Sequence, residues 1–337
     1  MKPLLDHLAA AVLGAVIVLC PWTWGAEGPE EGFVTTSEGV KIYFRKAGTG
    51  QPTVLIPNAI YMEQDFAKLA KGRTVILYDM RNRGRSSTVS DGTKLTIQAD
   101  VDDLEQLRKH FRLSKFIPIG YSYLGLMVAM YAAQHPERVE RLVQIGPVPR
   151  KFGTEYPREL TNGPETLPAK IRAKGAELAK LRDQGFDKNN PKAFCERQAE
   201  FFSYWMVGDP ANASKIPKVC QYDNELPLNF ERHLQFHFGD VQRLDVPKER
   251  FAAIPIPVLT IHGRLDRNSP YGAGREWALT FPNGRLITVP NGAHHVWADD
   301  PTVLDDIDTF LRGDWPKRAE RITKLLPVST PIPKTLH

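Results

Sequence analysis

The chain has 337 residues, 42% of them hydrophobic and 25% charged. That balance excludes collagen-like, low-complexity and wholly disordered proteins, and the length suits one large α/β domain with an insertion or two average domains. Lysine and arginine exceed aspartate and glutamate by 44 to 39, a formal charge of +5 spread along the chain. No polybasic run stands out, so neither a nucleic-acid partner nor an electrostatic membrane anchor is expected.

The first segment reads as an address. Lys2 precedes the apolar run Leu8 to Leu19, with small residues at Thr23 and Gly25. This is the layout of a secretory signal peptide over residues 1–25, cleaved after Gly25, and it predicts export to a periplasmic or extracellular space. An uncleaved anchor is the competing reading, although the run falls short of the roughly 20 apolar residues a membrane span needs. Cys20 does not mark a lipoprotein, because Leu19 stands where a small residue is required. Without the leader two cysteines remain, Cys195 and Cys220. In an exported protein they form either one disulfide or two unrelated thiols.

Beyond a polar linker over Glu27 to Gly32, strand-like and helix-like segments alternate. Val40 to Phe44 alternates apolar and polar residues, as a half-buried strand does. Thr53 to Pro57 and Thr74 to Asp79 are short β-branched runs suited to strands buried on both faces. Thr96 caps a predicted helix through Phe111, and Phe116 to Gly120 is the next strand despite Pro118. Tyr123 to Gln134 reads as a helix and Val139 to Gly146 as a strand. The rhythm breaks from Pro147 to about Pro255, where helical pieces (Pro168 to Asp183, Pro191 to Val207, Phe230 to Phe238) are separated by Pro and Gly. It resumes with strand Ile256 to His262, helix Tyr271 to Phe281, strand Arg285 to Val289 and helix Pro301 to Leu311. Such alternation predicts a mostly parallel sheet with helices on both faces and an inserted helical cap. The implied divisions are core at 33–147 and 255–313, cap at 148–254, and a Pro-rich tail at 314–337.

The chemistry concentrates at Ile119-Gly120-Tyr121-Ser122-Tyr123-Leu124-Gly125, between a strand and a helix. A Gly-x-Ser turn there places the serine hydroxyl at the tip of a sharp bend, and the Tyr123 amide in the first helical turn is free to face an oxyanion. Free serine is a poor nucleophile and needs a base. Two later loops supply the partners: Asp266 in Gly263-Arg-Leu-Asp266, and His294 with His295 after the last strand. The order Ser, Asp, His, each on a loop after a strand, brings all three to the carboxyl edge of the sheet.

Here the chain resembles the α/β-hydrolase superfamily, in particular its capped single-chain serine hydrolases (esterases, lactonases and prolyl-aminopeptidase-like enzymes), over about residues 35 to 312. Asp79-Met-Arg81-Asn-Arg-Gly84-Arg-Ser86 is similar to the family's Asp-x-Arg-Gly-x-Gly-x-Ser turn and joins the three segments above. The resemblance implies an α/β-hydrolase fold and a Ser122, His294 and Asp266 set. His294 is favoured over His295 because Ala293 precedes it and Pro301 follows by seven. Two departures stand out. Leu124 occupies the second glycine of Gly-x-Ser-x-Gly, and the His-Gly oxyanion motif is replaced by Pro57-Asn58-Ala59-Ile60, which leaves Ala59 or Asn58 as the oxyanion partner of Tyr123.

Other residues carry blander expectations. Asp79 and Arg81 tie a loop. His233 and His237, four apart, suit a metal on a helix face but lack a third ligand, so a solvated or core-rim position is expected. Phe201, Phe202, Tyr204 and Trp205 pack the cap or line a pocket. No dinucleotide fingerprint, P-loop or metal cluster is present, so no cofactor is expected. The expected function is a secreted serine hydrolase acting on a small-molecule carboxylic ester or related acyl bond, with no nucleic-acid partner and no membrane association after leader removal. The alternatives are a prolyl-aminopeptidase-like peptidase, whose substrate amine would meet the cap acids Asp223 and Glu225, and a non-catalytic binding protein on the same scaffold.

Overall fold

Short β-branched runs occupy the middle of the molecule. The computed structural model describes residues 29–325; the leader and the last part of the tail lie outside them. Eight strands form one sheet: β1 (Glu30–Thr35), β2 (Lys41–Ala47), β3 (Thr53–Pro57), β4 (Thr74–Tyr78), β5 (Ile117–Tyr121), β6 (Leu142–Ile145), β7 (Val258–Gly263) and β8 (Gly284–Val289). Their spatial order is β1-β2-β4-β3-β5-β6-β7-β8, antiparallel at β1–β2 and β2–β4 and parallel elsewhere.

Alternate residues of each strand serve opposite faces. Leu55, Ile76 and Tyr78 enter the core under helices Ile97–His110 and Tyr123–Gln134. Val54, Ile56, Val75 and Leu77 enter the other core, with Phe66, Trp297, Ile307 and Phe310. This double coverage explains why the central strands read as unbroken apolar runs. Pro118 is accommodated because β3 and β5 pair over only Val54–Ile117 and Leu55–Pro118, so the missing N–H costs little ladder.

Three segments differ from the sequence expectation. The polar stretch taken as a linker becomes strand from Glu30, an edge strand held by cross-strand pairs: Lys46 bonds Glu30 and the Tyr43 hydroxyl donates to Glu31. Residues 59–66 form a short helix, Ala59–Phe66, entered through Asn58 in the left-handed region at φ 68°. The expected tail from 314 is docked as far as 325. Glu320 pairs with Leu286 on the edge strand β8, and Arg275 donates to the carbonyls of Lys324 and Leu325. Proline content alone did not reveal that docking.

Between β6 and β7 the chain leaves the sheet and builds a helical layer. Its main helices are Ala169–Asp183, Pro191–Met206 and Pro227–His233, the last running directly into a π-helical turn at Leu234–Phe238. Cys195 and Cys220 are disulfide-bonded, which ties helix Pro191–Met206 to the loop before Asp223.

Candidate active site

Ser122 connects β5 to the helix Tyr123–Gln134 with φ 61° and ψ −132°, a conformation that non-glycine residues rarely adopt. The turn is held from both sides: the Ser122 amide donates to the Ile145 carbonyl on β6, and the Gly125 amide donates to the Ser122 carbonyl. Gly120 is indispensable, since a Cβ there would lie 2.2 Å from the Leu124 carbonyl oxygen. The displaced second glycine also has a physical account. Leu124 is fully buried in the core, while Gly125 lets the helix approach Pro147, to which a Cβ would come within 2.8 Å.

Asp266 is fully buried in the loop after β7. Its Oδ1 accepts the amides of Asn268 and Ser269 at 2.8 and 2.9 Å. Its Oδ2 accepts Nδ1–H of His294 at 2.7 Å. His262 Nε2 lies 3.2 Å from the same oxygen and donates to the Ser269 carbonyl at 3.1 Å. Burial by itself would raise the carboxyl pKa, but the adjoining His294 and His262 outweigh it and hold the group below the usual carboxylate range. With Nδ1–H directed at Asp266, Nε2 is the ring nitrogen of His294 left to act as a base. Gly146 makes room for the pair: at φ 51°, a Cβ there would sit 3.1 Å from His294 Nδ1 and 3.2 Å from Asp266 Oδ2.

The neighbouring histidines part company. His294 borders the cavity that Ser122 borders, whereas His295 is turned into the core, 3.7 Å from Trp297 between ring centres, with both nitrogens unpartnered. Burial, reinforced by His294, keeps His295 neutral well below the ordinary histidine pKa. Asp299, which the sequence reading did not single out, fixes this loop: its carboxylate accepts the amides of Ala293 and Gly208.

The cavity holds about 260 Å³ and lies between the sheet edge and the cap. Ser122, Tyr123, Asn58 and His294 line one end; Phe202, Met206, Ile216, Val219 and Phe230 form an apolar wall. No hydrogen bond joins the Ser122 hydroxyl to His294 among the described residues; such contacts commonly tighten only around a bound substrate. The amides of Tyr123 and Ala59 have no acceptor within the described residues. Asn58 reaches the cavity, while Ala59 is fully buried behind it. Of the cap aromatics, Phe202 faces the cavity and Phe201 packs against Trp205.

Arg83, unlike Glu225, was not singled out by the sequence reading. Arg83 and Glu225 form a buried two-pronged pair at 2.8 and 2.6 Å, and the Gly84 amide adds a bond to Glu225 at 2.9 Å. Asp223 does not line this cavity; it borders a separate surface depression. His233 and His237 are neither solvated nor at the core rim, as their spacing suggested; both are buried in the cavity wall. Among the described residues no group of three His, Cys, Asp or Glu side chains is placed to hold a metal ion. Asp79 and Arg81 do tie the preceding loop: Asp79 accepts the amides of Ile60 and Arg85, and Arg81 grips Asp103 with two bonds of 2.8 Å.

A family model described as alpha/beta hydrolase fold matches residues 56–301. The chain belongs to that family, and its relatives there include an esterase, a haloperoxidase, proline iminopeptidases and acyltransferases. It is similar to a bifunctional esterase/perhydrolase of Acinetobacter calcoaceticus, 25% identical over 294 residues that cover 84% of this chain and 100% of that protein. A proline iminopeptidase of Clostridium botulinum is 27% identical over 254 residues, covering 71% of this chain and 83% of its own. The solved esterase of Exiguobacterium antarcticum superposes with a TM-score of 0.64 at 16% identity over 84% of this chain and 100% of its own, a likeness of fold.

Proposed function

We propose that the protein is an exported serine hydrolase that cleaves a small carboxylic ester through Ser122, His294 and Asp266. The observation that carries this reading is the Asp266–His294 pair bordering the same cavity as a serine held at a strained strand-to-helix turn. His294 Nε2 takes the Ser122 proton as Oγ attacks the ester carbonyl carbon, and Asp266 stabilises the resulting imidazolium. The negative oxygen of the tetrahedral intermediate is received by the Tyr123 amide together with Asn58 or the Ala59 amide. Collapse expels the alcohol, which takes its proton from His294. Water, deprotonated by the same ring, then releases the acid and frees Ser122. The predominantly apolar wall favours an uncharged acyl compound. The leader pattern and the Cys195–Cys220 disulfide support an oxidising, extracytoplasmic location.

The iminopeptidase relative favours a second reading, cleavage of an N-terminal proline. A peptide amine needs an uncompensated carboxylate, and Glu225, the acid in the cavity wall, has both oxygens committed to Arg83. The ester reading is therefore preferred.

Covalent labelling by a fluorophosphonate tests the proposal. Labelling of the wild type that disappears in Ser122→Ala is expected; labelling that persists in the variant overturns it. Turnover of prolyl-naphthylamide in preference to nitrophenyl esters would install the peptidase instead.

A further inference from the structure

One histidine of the cavity wall, His237, is paired with an aspartate behind it that the proposed hydrolysis does not use. His237, on the π-helical turn of the cap, lies with Nε2 2.5 Å from Oδ2 of Asp100 on the core helix Ile97–His110. Its ring stacks on His233, with centres 4.7 Å apart and planes 11° from parallel, and meets the Tyr123 ring at 4.8 Å. All three polar residues of the array are buried: His233 is 2% exposed, and His237 and Asp100 are each 1% exposed. Burying an imidazole without partners is costly unless a ligand completes it.

Nδ1 of each ring and Oδ1 of Asp100 lack a hydrogen-bond partner among the described residues, and of the two rings His233 is the one that also leaves Nε2 uncommitted. Its Nδ1 is sealed from solvent with no hydrogen-bond partner, which leaves Nε2 as the nitrogen able to meet a ligand in the cavity the ring borders. Burial first, then the neighbouring Arg83 guanidinium, lowers the pKa of the ring and keeps it neutral. A neutral imidazole carries one proton, and a sealed lone pair costs less than a sealed N–H, so the proton belongs on Nε2 and the ring is a donor. The Arg83 guanidinium is matched by Glu225, and the Asp100 carboxylate accepts from His237. Among the described residues of the wall, the guanidinium of Arg83 and the carboxylate of Glu225 are paired with each other, which leaves neither to a charged substrate group. Alongside the side-chain amides of Asn58, Gln198 and Asn268, the wall offers the buried His233 ring as a donor.

We propose that His233, held in place by stacking on the Asp100-anchored His237, is a specificity residue that binds an uncharged acceptor oxygen on the substrate, remote from the scissile carbonyl. The preferred esters carry a keto, ether or hydroxyl oxygen in an otherwise apolar acyl or alcohol chain. The proposal rests on the ester-hydrolase reading above.

Two matched pairs of esters provide the test: 4-nitrophenyl 4-oxopentanoate against 4-nitrophenyl pentanoate, and 4-oxopentyl acetate against pentyl acetate. The wild type is expected to favour the oxygenated member of at least one pair by about tenfold in kcat/KM, the scale of one neutral hydrogen bond. In His233→Phe that ratio is expected to fall to about one, and in His233→Gln, which keeps a donor, to remain partly above one. A wild type with no preference in either pair, or a His233→Phe variant that is folded by circular dichroism and keeps the wild-type ratio, overturns the proposal. Fluorophosphonate labelling run alongside separates the two levels. Labelling of Ser122 without any oxygen preference defeats the specificity role alone, whereas absence of labelling removes the hydrolase reading and the specificity role with it.

Discussion

Arg83, in the loop after β4, holds both carboxylate oxygens of Glu225 on the cap, Nε to Oε1 at 2.8 Å and Nη2 to Oε2 at 2.6 Å, with neither residue more than 7% exposed. The pair spans the boundary between sheet and cap and forms part of the cavity wall. Removing one partner strands a charge in a dry site. Arg83→Ala is expected to cost about 3–5 kcal/mol of stability, whereas a double replacement by Arg83→Met and Glu225→Leu recovers most of that loss. Urea unfolding of the single and double variants checks this; additive losses would show that the two side chains are not coupled.

His294 and His295 are adjacent in sequence but differ in surroundings. His294→Ala is expected to lower kcat by about 10⁴ or more, as loss of the base does in such sites. His295→Gln is expected to stay within about tenfold of the wild type, because that ring faces Trp297 instead of the cavity. Steady-state hydrolysis of a nitrophenyl ester separates them, and equal losses would contradict the assignment.

The neutral, buried His295 also gives stability a pH dependence. In the unfolded chain it titrates near its ordinary value of about 6.5. In the folded protein burial keeps it unprotonated to lower pH. The unfolded state therefore binds more protons as pH falls below about 6.5, and stability declines. Asp103 acts in the opposite direction. Burial raises its pKa against the pull of Arg81, to about 6, so below that pH the folded state takes up the extra proton. The comparison must therefore be between proteins. From pH 7.5 to 5.5 the wild type is expected to lose about 1.4 kcal/mol more than His295→Gln. Parallel urea titrations at the two pH values measure the difference, and identical pH slopes would refute it.

The cross-link between Cys195 and Cys220 closes a loop of 25 residues in the cap. On the chain-entropy model that closure is worth about 3.5 kcal/mol. Cys195 also borders the cavity. Cys195→Ser with Cys220→Ser is expected to lower Tm and raise KM for ester substrates together, because loosening the cap disturbs the wall. An unchanged KM alongside a lowered Tm would confine the bond to a structural role.

The alternation of strands and helices, the serine turn and the order of Ser122, Asp266 and His294 were legible in the chain alone. They rest on short-range rules: buried parallel strands need continuous apolar runs, and a tight turn needs glycine at Gly120. The short helix Ala59–Phe66 and edge strand β1 escaped that reading, since one spans eight residues and the other is held by cross-strand polar pairs. Only the folded chain decided that His294 meets Asp266 while His295 enters the core, that Glu225 is cancelled by Arg83, and that His237 reaches Asp100. The last two contacts join residues 142 and 137 positions apart. No local periodicity encodes such pairings, because they arise when an inserted helical layer closes over the sheet edge and its side chains find partners there.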